Sequence, residues 1–100
     1  MAYQIVKKKR FVNKLTKLLN YLEGEWGFNV AVNFQTNVDK HFDLLTKHPF
    51  IGIATSKANA RSLLITKHNR LVYKVSGNKI IILDMYDTRM NPKKNPYFRK

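Results

Sequence analysis

The chain of 100 residues contains no cysteine, and this absence removes three kinds of chemistry at once. Disulfide bonds, thiolate zinc sites and cysteine nucleophiles are excluded, so the fold has to be stabilised by its apolar core alone. No apolar run approaches the roughly 18 residues of a membrane-spanning helix. The opening residues, 1–6, also lack the basic-then-apolar order of a signal peptide. We therefore expect a cytoplasmic protein with no membrane partner.

Carboxylates are the second scarce group. The sequence has 6 Asp and Glu against 19 Lys and Arg, a formal net charge of +13, and none of those acids lies between Asp43 and Asp84. A surface of one charge sign destabilises the compact state by self-repulsion unless a partner supplies the opposite charge. The composition therefore predicts a polyanionic partner, nucleic acid above all.

Motifs for metal ions and phosphate loops are missing as well. His41, His48 and His68 have no Asp or Glu at a metal-ligand spacing. The four glycines stand singly, so the sequence has neither a nucleophile elbow nor a glycine-rich phosphate loop. We predict no metal site and no cofactor.

Two helices are predicted from apolar residues that recur at spacings of three and four. The first covers residues 11–26 and the second residues 28–45. Gly24 and Gly27 favour a break between them, and Pro49 ends the second. The two apolar stripes should pack against each other as a helical hairpin.

The apolar period changes after the second helix. Residues 62–66, 70–75 and 79–84 are rich in Leu, Ile, Val and Tyr, and short polar turns at 67–69 and 76–78 separate them. This pattern predicts three strands joined as an antiparallel meander.

The fold class that follows is α+β, in a single domain over residues 1–100. A short N-terminal strand within residues 2–6 precedes the helical hairpin, and the three-stranded meander comes after it. Residues 80–83 are apolar on both faces, so we place the last strand centrally, with the helices covering one side of the sheet. Residues 87–100 form a basic C-terminal tail without an apolar period.

Several short motifs occur in a characteristic order along the chain. They are Glu25-Trp26-Gly27, Arg61-Ser62-Leu63, Asn69-Arg70-Leu71-Val72-Tyr73 and Asp87-Thr88-Arg89. With these motifs in this order, the chain resembles the RelE/ParE superfamily of toxins from bacterial type II toxin–antitoxin systems over nearly its whole length. The resemblance implies a compact α+β toxin that is inhibited by an acidic or amphipathic antitoxin protein wrapped around it.

The resemblance implies one of two activities. RelE-like members are endoribonucleases that cut messenger RNA in the ribosomal A site, whereas ParE-like members have a similar fold and poison DNA gyrase. Cleavage of RNA by its own 2′-hydroxyl requires a base, an acid and stabilisation of the charge on the phosphorane. RelE-like toxins resemble one another in doing this with Arg, Lys and a late Tyr.

The residues of this chain that match the ribonuclease pattern are three arginines and a late tyrosine: Arg61, Arg70, Arg89 and Tyr97. Tyr86 is the alternative late tyrosine. We expect the three arginines to converge on one concave face, where guanidinium groups clamp phosphate oxygens. Two features depart from the ribonuclease pattern, because Leu63 replaces a second lysine and the Glu-Trp-Gly element is more ParE-like.

The leading interpretation is a metal-independent endoribonuclease that cleaves mRNA on the ribosome. Inhibition of DNA gyrase is the alternative, and a non-catalytic basic RNA-binding module is a third hypothesis. Basic residues of the meander, the tail and the amino-terminal cluster are predicted to bind RNA: Lys57, Lys67, Lys74, Lys93, Lys94, Lys8, Lys9 and Arg10.

Overall fold

Two helices lie between the first strand and four further strands. The computed structural model describes residues 3–90 and 92–97. Its elements in chain order are β1 (Gln4–Lys7), α1 (Lys9–Trp26), α2 (Phe28–Lys47), β2 (Ile53–Ala54), β3 (Arg61–Thr66), β4 (Asn69–Ser76), β5 (Lys79–Asp87) and a 3-10 turn (Pro92–Lys94). The α+β class and the order of strand, helical hairpin and meander are as predicted.

A single glycine both ends α1 and begins α2. Gly27 has a φ of 99° and a ψ of 167°, and its N–H donates to the Glu23 carbonyl at 3.0 Å. A side chain rarely adopts this backbone conformation, which explains the glycine. Gly24, the other predicted helix breaker, lies inside α1. The break is therefore at one glycine instead of two.

The helical hairpin packs its apolar stripes onto one face of the sheet. Phe11 of α1 meets Phe42 of α2 edge to face, with ring centroids 5.9 Å apart. Both rings belong to a core cluster that also includes Leu71 and Tyr73 of β4 and Ile82 of β5. Burial of such side chains is the main stabilising contribution to a fold without disulfides.

The sheet has five strands in the order β1-β5-β4-β3-β2. Strands β3, β4 and β5 form the predicted antiparallel meander, and β1 pairs with β5 in parallel, with Ile5 opposite Ile80. Strand β5 therefore lies inside the sheet, as its apolar character on both faces predicted. The edge strand β2 was not predicted, because a strand of two residues has no readable period.

The described part of the tail returns to the sheet. The Ser56 hydroxyl, just after β2, donates to the Pro96 carbonyl at 2.7 Å, and the Tyr97 ring stacks on Tyr86 of β5. Residues 91 and 98–100 of the predicted tail lie outside the described residues. Within the described ranges, no helix has the length and apolar character that crossing a membrane requires.

Candidate functional site

Arg61 and Arg70 lie on opposite faces of the sheet. Directly paired residues of an antiparallel sheet point to the same side. Arg61 pairs with Tyr73, a core residue that faces the helices, whereas Arg70 pairs with the exposed Leu64. Arg70 therefore projects from the side away from the helices, which we call the outer face. The prediction that the three arginines converge on one concave face is therefore wrong.

An irregularity in β3 separates the two arginines. The turn pairs Thr66 with Asn69, yet Leu64 already pairs with Arg70, so the register shifts by one residue between them. A shift of one residue moves every following side chain to the other face. Had the register of the turn continued, Arg61 would lie on the face of Arg70.

Arg61 is held by neutral acceptors of its own protein. Its Nη1 donates to the Gly52 carbonyl at 2.9 Å and to the Phe50 carbonyl at 3.2 Å. The guanidinium carbon also lies 5.2 Å from the centroid of the Phe50 ring, within cation–π range. Arg61 thus fixes the loop that joins α2 to β2.

A buried tyrosine holds the same loop from the inside. The Tyr73 hydroxyl donates to the Pro49 carbonyl and accepts a hydrogen bond from the Gly52 N–H, both at 2.8 Å. A Cβ atom on Gly52 would come within 2.6 Å of that hydroxyl, so only glycine fits there. Burial raises the pKa of Tyr73, which therefore stays a neutral donor.

A cleft of about 290 Å³ opens beside this loop, at the start of β3 and the end of β4. We call it the Arg61–Lys74 cleft; its lining is Phe50, Asn59, Arg61, Lys74, Val75 and Ser76. A neighbouring cleft of about 280 Å³ shares Asn59 and Arg61 and adds Lys57. No acidic residue is among the described residues that line either cleft.

The outer face brings Arg70 and Tyr97 together. Arg70 Nε donates to the Ser62 hydroxyl at 3.0 Å, and Arg70 pairs directly with Tyr86 of β5. The Tyr97 ring stacks on Tyr86 with centroids 6.1 Å apart and an interplanar angle of 14°. Two of the four predicted catalytic residues therefore share a face, linked through the ring of the alternative tyrosine.

The hydroxyl of Tyr97 is engaged by a buried carboxylate. Tyr97 donates to Asp84 Oδ2 at 3.0 Å, while Lys14 Nζ lies 2.8 Å from Oδ1 and Arg10 Nε 3.5 Å from Oδ2. Only 2% of the Asp84 side chain is exposed. Burial, followed by the negative charge of Asp84, raises the pKa of Tyr97. The tyrosine therefore remains protonated, which makes it a poor general base.

The Asp84 cluster was missed by sequence reasoning. The available signal was the position of Asp84, a lone acid directly after the apolar residues 80–83. A carboxylate in such a place is expected to be buried, and a buried charge needs cationic partners. Lys14 and Arg10, one helical turn apart on α1, supply them.

Arg89 forms an ion pair with Asp87, the last residue of β5. Its Nη2 lies 2.7 Å from Asp87 Oδ2 and its Nε donates to Asp87 Oδ1 at 3.0 Å. The hydrogen bond from Arg89 lowers the pKa of Asp87 to about 2. Both side chains are well exposed, at 67% and 42%, so the pair contributes little to stability.

The other predicted RNA-binding residues do not line the Arg61–Lys74 cleft. Lys67 lies in the β3–β4 turn, at the opposite end of that hairpin from the cleft. Arg10 contacts Asp84, as described above. The remaining four are exposed, in the 3-10 turn and at the start of α1: Lys93, Lys94, Lys8 and Lys9. These eight residues are therefore not gathered at one cleft.

The comparisons with known proteins agree with this architecture. The family model of the ParE toxin of the type II toxin–antitoxin system, parDE, matches residues 5–92. The chain belongs to the ParE toxin family. The matched range contains both helices, the strands β2 to β5 and all of β1 except Gln4. It excludes Tyr97.

The ParE-family fold is also found among solved structures. A chain in the chromosomal ParDE system from P. aeruginosa is similar, with a TM-score of 0.75 and 15% identity over 85% of this chain and 95% of that chain. The YoeB/ParE toxin from Agrobacterium tumefaciens gives a TM-score of 0.60 at 15% identity, covering 84% and 97% of the two chains. The YoeB dimer from Staphylococcus aureus gives 0.62 at 13% identity, covering 84% and 94%. At these identities the likeness concerns the fold alone.

The predicted RelE/ParE resemblance is thereby confirmed at the level of family. This chain is a toxin of a type II toxin–antitoxin system, and such a toxin has an antitoxin partner. No relative was found among curated proteins. Among the described residues, no group of three or more His, Asp or Glu is arranged to hold a metal ion.

Proposed function

We propose that this ParE-family toxin poisons DNA gyrase by binding to it and does not cleave RNA. The observation that carries the proposal is the division of Arg61 and Arg70 between the two faces of the sheet. Cleavage of RNA needs cations, an acid and a base around one phosphate. A toxin that acts by binding has no such requirement, and the match to the ParE model supports this choice.

The bonding of the predicted catalytic residues supports the same proposal. Arg61 donates to two carbonyl groups of its own loop, and Arg89 is paired with Asp87. Tyr97 shares a face with Arg70, but its hydroxyl donates to a buried carboxylate. Arg70 therefore lacks a free partner among the residues that were predicted to act with it.

Cleavage of mRNA is the second candidate, and one observation favours it. Arg70 and Tyr97 lie on the outer face on either side of Tyr86, so a phosphate could contact both. This arrangement would supply a cation and an acid if the Tyr97 hydroxyl left Asp84. In that case Arg70 would stabilise charge on the phosphorane, because arginine stays protonated at accessible pH.

The deciding experiment measures both activities with the same protein. Purified toxin is added to DNA gyrase with plasmid DNA, and supercoiling and trapped DNA breaks are scored. In parallel, transcripts are mapped by primer extension after the toxin is induced in cells. We expect loss of supercoiling, accumulation of breaks and intact transcripts. Cut transcripts together with unaffected gyrase would overturn the proposal.

Arg70 gives the sharpest comparison between the two mechanisms. If the toxin poisons gyrase, Arg70→Ala should leave its activity nearly unchanged. If it cuts RNA, the same change should lower cleavage by about 10²–10³-fold, as for loss of an oxyanion donor, and Arg70→Lys should restore only part of it. The matched control is Lys40→Ala on the exposed surface of α2, which removes the same charge away from the outer face.

The tail provides a second test of the gyrase mechanism. A stop codon in place of Arg89 is expected to abolish gyrase poisoning. It also removes Tyr97, leaving Asp84 with fewer partners, so circular dichroism must first show that the truncated protein is folded. Tyr97→Phe, which keeps the ring stacked on Tyr86, separates loss of the tail from loss of that hydrogen bond.

We further expect the cognate antitoxin to be acidic, given the net charge of +13.

A further inference from the structure

The turn between α1 and α2 forms an exposed tip at one end of the helical hairpin. We call residues 23–30, all of which are exposed, the hairpin tip. We propose that the toxin binds DNA gyrase through the hairpin tip, with Trp26 and Phe28 inserted into an apolar pocket that has cations around its rim. The inference rests on the proposed function and names the part of the toxin that performs it.

Two aromatic side chains of the hairpin tip face the solvent. Trp26 is 69% and Phe28 66% exposed, the two highest fractions among the large apolar side chains that the structure describes. Val32, one helical turn after Phe28, is also exposed and extends the apolar surface along α2. The two rings alone present on the order of 300 Å² to water. An apolar patch of that size on a monomer is typical of an interaction site.

The backbone positions both rings before a partner arrives. Trp26 is the last residue of α1 and Phe28 the first of α2, so only Gly27 separates them. Gly27 is itself fixed, because its N–H donates to the Glu23 carbonyl at 3.0 Å. Two anchors carried by helix ends lose less conformational entropy on binding than side chains on a mobile loop.

The charge of the hairpin tip is opposite in sign to that of the whole chain. Residues 18–38 contain no Lys or Arg, although the chain has 19 of them, and they include Glu23 and Glu25. Both carboxylates are exposed, and neither forms an ion pair with another described residue. The tip therefore repels nucleic acid and an acidic antitoxin. It is complementary to a protein surface with an apolar centre and a cationic rim.

Gyrase is a partner with that chemistry. An enzyme that holds DNA carries cations along the path of the duplex, because neutralising phosphates supplies much of the affinity. Those cations attract Glu23 and Glu25 and repel the rest of this chain, which is strongly positive. The hairpin tip is therefore the part of the toxin that can approach the DNA-binding surface of gyrase, where DNA breaks are made.

Binding of purified toxin variants to purified gyrase tests the proposal, with inhibition of supercoiling measured on the same samples. Trp26→Ala should weaken binding by about 30-fold or more, the loss typical of a central aromatic anchor, and Trp26→Phe should restore part of it. Phe28→Ala should weaken binding at least about tenfold. The matched control is Ile53→Ala on β2, which removes another exposed apolar side chain and should change binding by less than about twofold.

The carboxylates test the charge of the partner surface. Glu25→Gln should weaken binding to gyrase at low salt and have a smaller effect at high salt, because ionic strength screens charges at the rim of an interface. Tighter binding of Glu25→Gln would indicate an acidic partner surface and overturn the proposal.

A label at Trp26, the single tryptophan of the chain, identifies the occupant without any substitution that could disturb folding. Toxin is made with 5-hydroxytryptophan, which is excited apart from ordinary tryptophan, and acrylamide quenching of its emission reports exposure of the ring. Quenching should fall to that of a buried ring when gyrase is added, and stay unchanged with duplex DNA alone or with the antitoxin alone. Protection by DNA or antitoxin without protection by gyrase would overturn the proposal.

The outcomes separate this inference from the proposed function. If the parent toxin neither binds nor inhibits gyrase, the proposed function is wrong and the inference is wrong with it. If the parent inhibits gyrase and Trp26→Ala, shown to be folded by circular dichroism, inhibits it at the same concentration, only the inference is wrong.

Discussion

Removal of one buried oxygen atom should loosen the loop between α2 and β2. In Tyr73→Phe the ring remains in the core, but the hydroxyl that bridges Pro49 and Gly52 is lost. The Gly52 N–H then has no acceptor in a buried position, because Tyr73 is its only hydrogen-bond partner among the described residues. Leaving a buried donor unpaired costs more free energy of folding than an ordinary hydrogen bond contributes.

The structure sets the size of this effect. An unsatisfied buried polar group costs about 1–3 kcal/mol, and the Pro49 carbonyl, which is less buried, contributes less because water can reach it. We therefore expect a loss of about 2 kcal/mol in the free energy of unfolding. For a domain of this length, each kcal/mol lowers the Tm by about 4–8 °C, so the Tm should fall by about 8–16 °C.

Thermal unfolding followed by circular dichroism measures the change. Tyr21→Phe is the control, since Tyr21 on α1 is 57% exposed and its hydroxyl is accessible to water. It should alter the free energy of unfolding by no more than about 0.5 kcal/mol. A Tyr73→Phe protein that unfolds within a degree or two of the parent would refute the argument that this hydroxyl fixes the loop.

Three further perturbations have definite expected outcomes. Gly52→Ala should destabilise the fold more than Tyr73→Phe does, because the added methyl group would overlap both the Tyr73 hydroxyl and a β3 carbonyl. Thermal unfolding should therefore give a lower Tm for Gly52→Ala than for Tyr73→Phe. Arg89→Gln should raise the pKa of Asp87 from about 2 toward 3.8, which an NMR titration measures. In the parent protein, the small stability that the pair provides above pH 4 is lost as the pH falls toward 2. Asp84→Asn should lower the pKa of Tyr97 in an ultraviolet titration, because it removes the negative charge that opposes ionisation of the phenol.

The sequence was most informative where a pattern repeats over many residues. The apolar stripes of α1 and α2 cover four or more turns, so both helices and their packing were predictable. The four apolar residues 80–83 likewise indicated an interior strand. In contrast, β2 consists of two residues, and its pairing with β3 depends on the path of the intervening loop.

The geometry of the site was much less predictable than the fold. Which face a strand residue occupies depends on the register, and one extra residue in β3 reverses it. Residues 62–65 are Ser-Leu-Leu-Ile, and nothing in this series shows which residue is the extra one. The separation of Arg61 from Arg70 was therefore not readable from the sequence. The position of the tail against the sheet was also not readable from the sequence. Tyr97 stacks on Tyr86, and the spacing between these two residues does not indicate that contact.

The parallel pairing of β1 with β5 has a consequence for the synthesis of the toxin. Ile5 pairs with Ile80, so the first strand to leave the ribosome has no partner until the last strand of the sheet has been made. Contacts this distant in sequence also slow folding, because a long loop must close before they form. We expect nascent chains that stop before β5 to remain unfolded and harmless. The toxin thus completes its sheet only after β5 has been translated, which leaves an interval in which antitoxin already present in the cell can meet it.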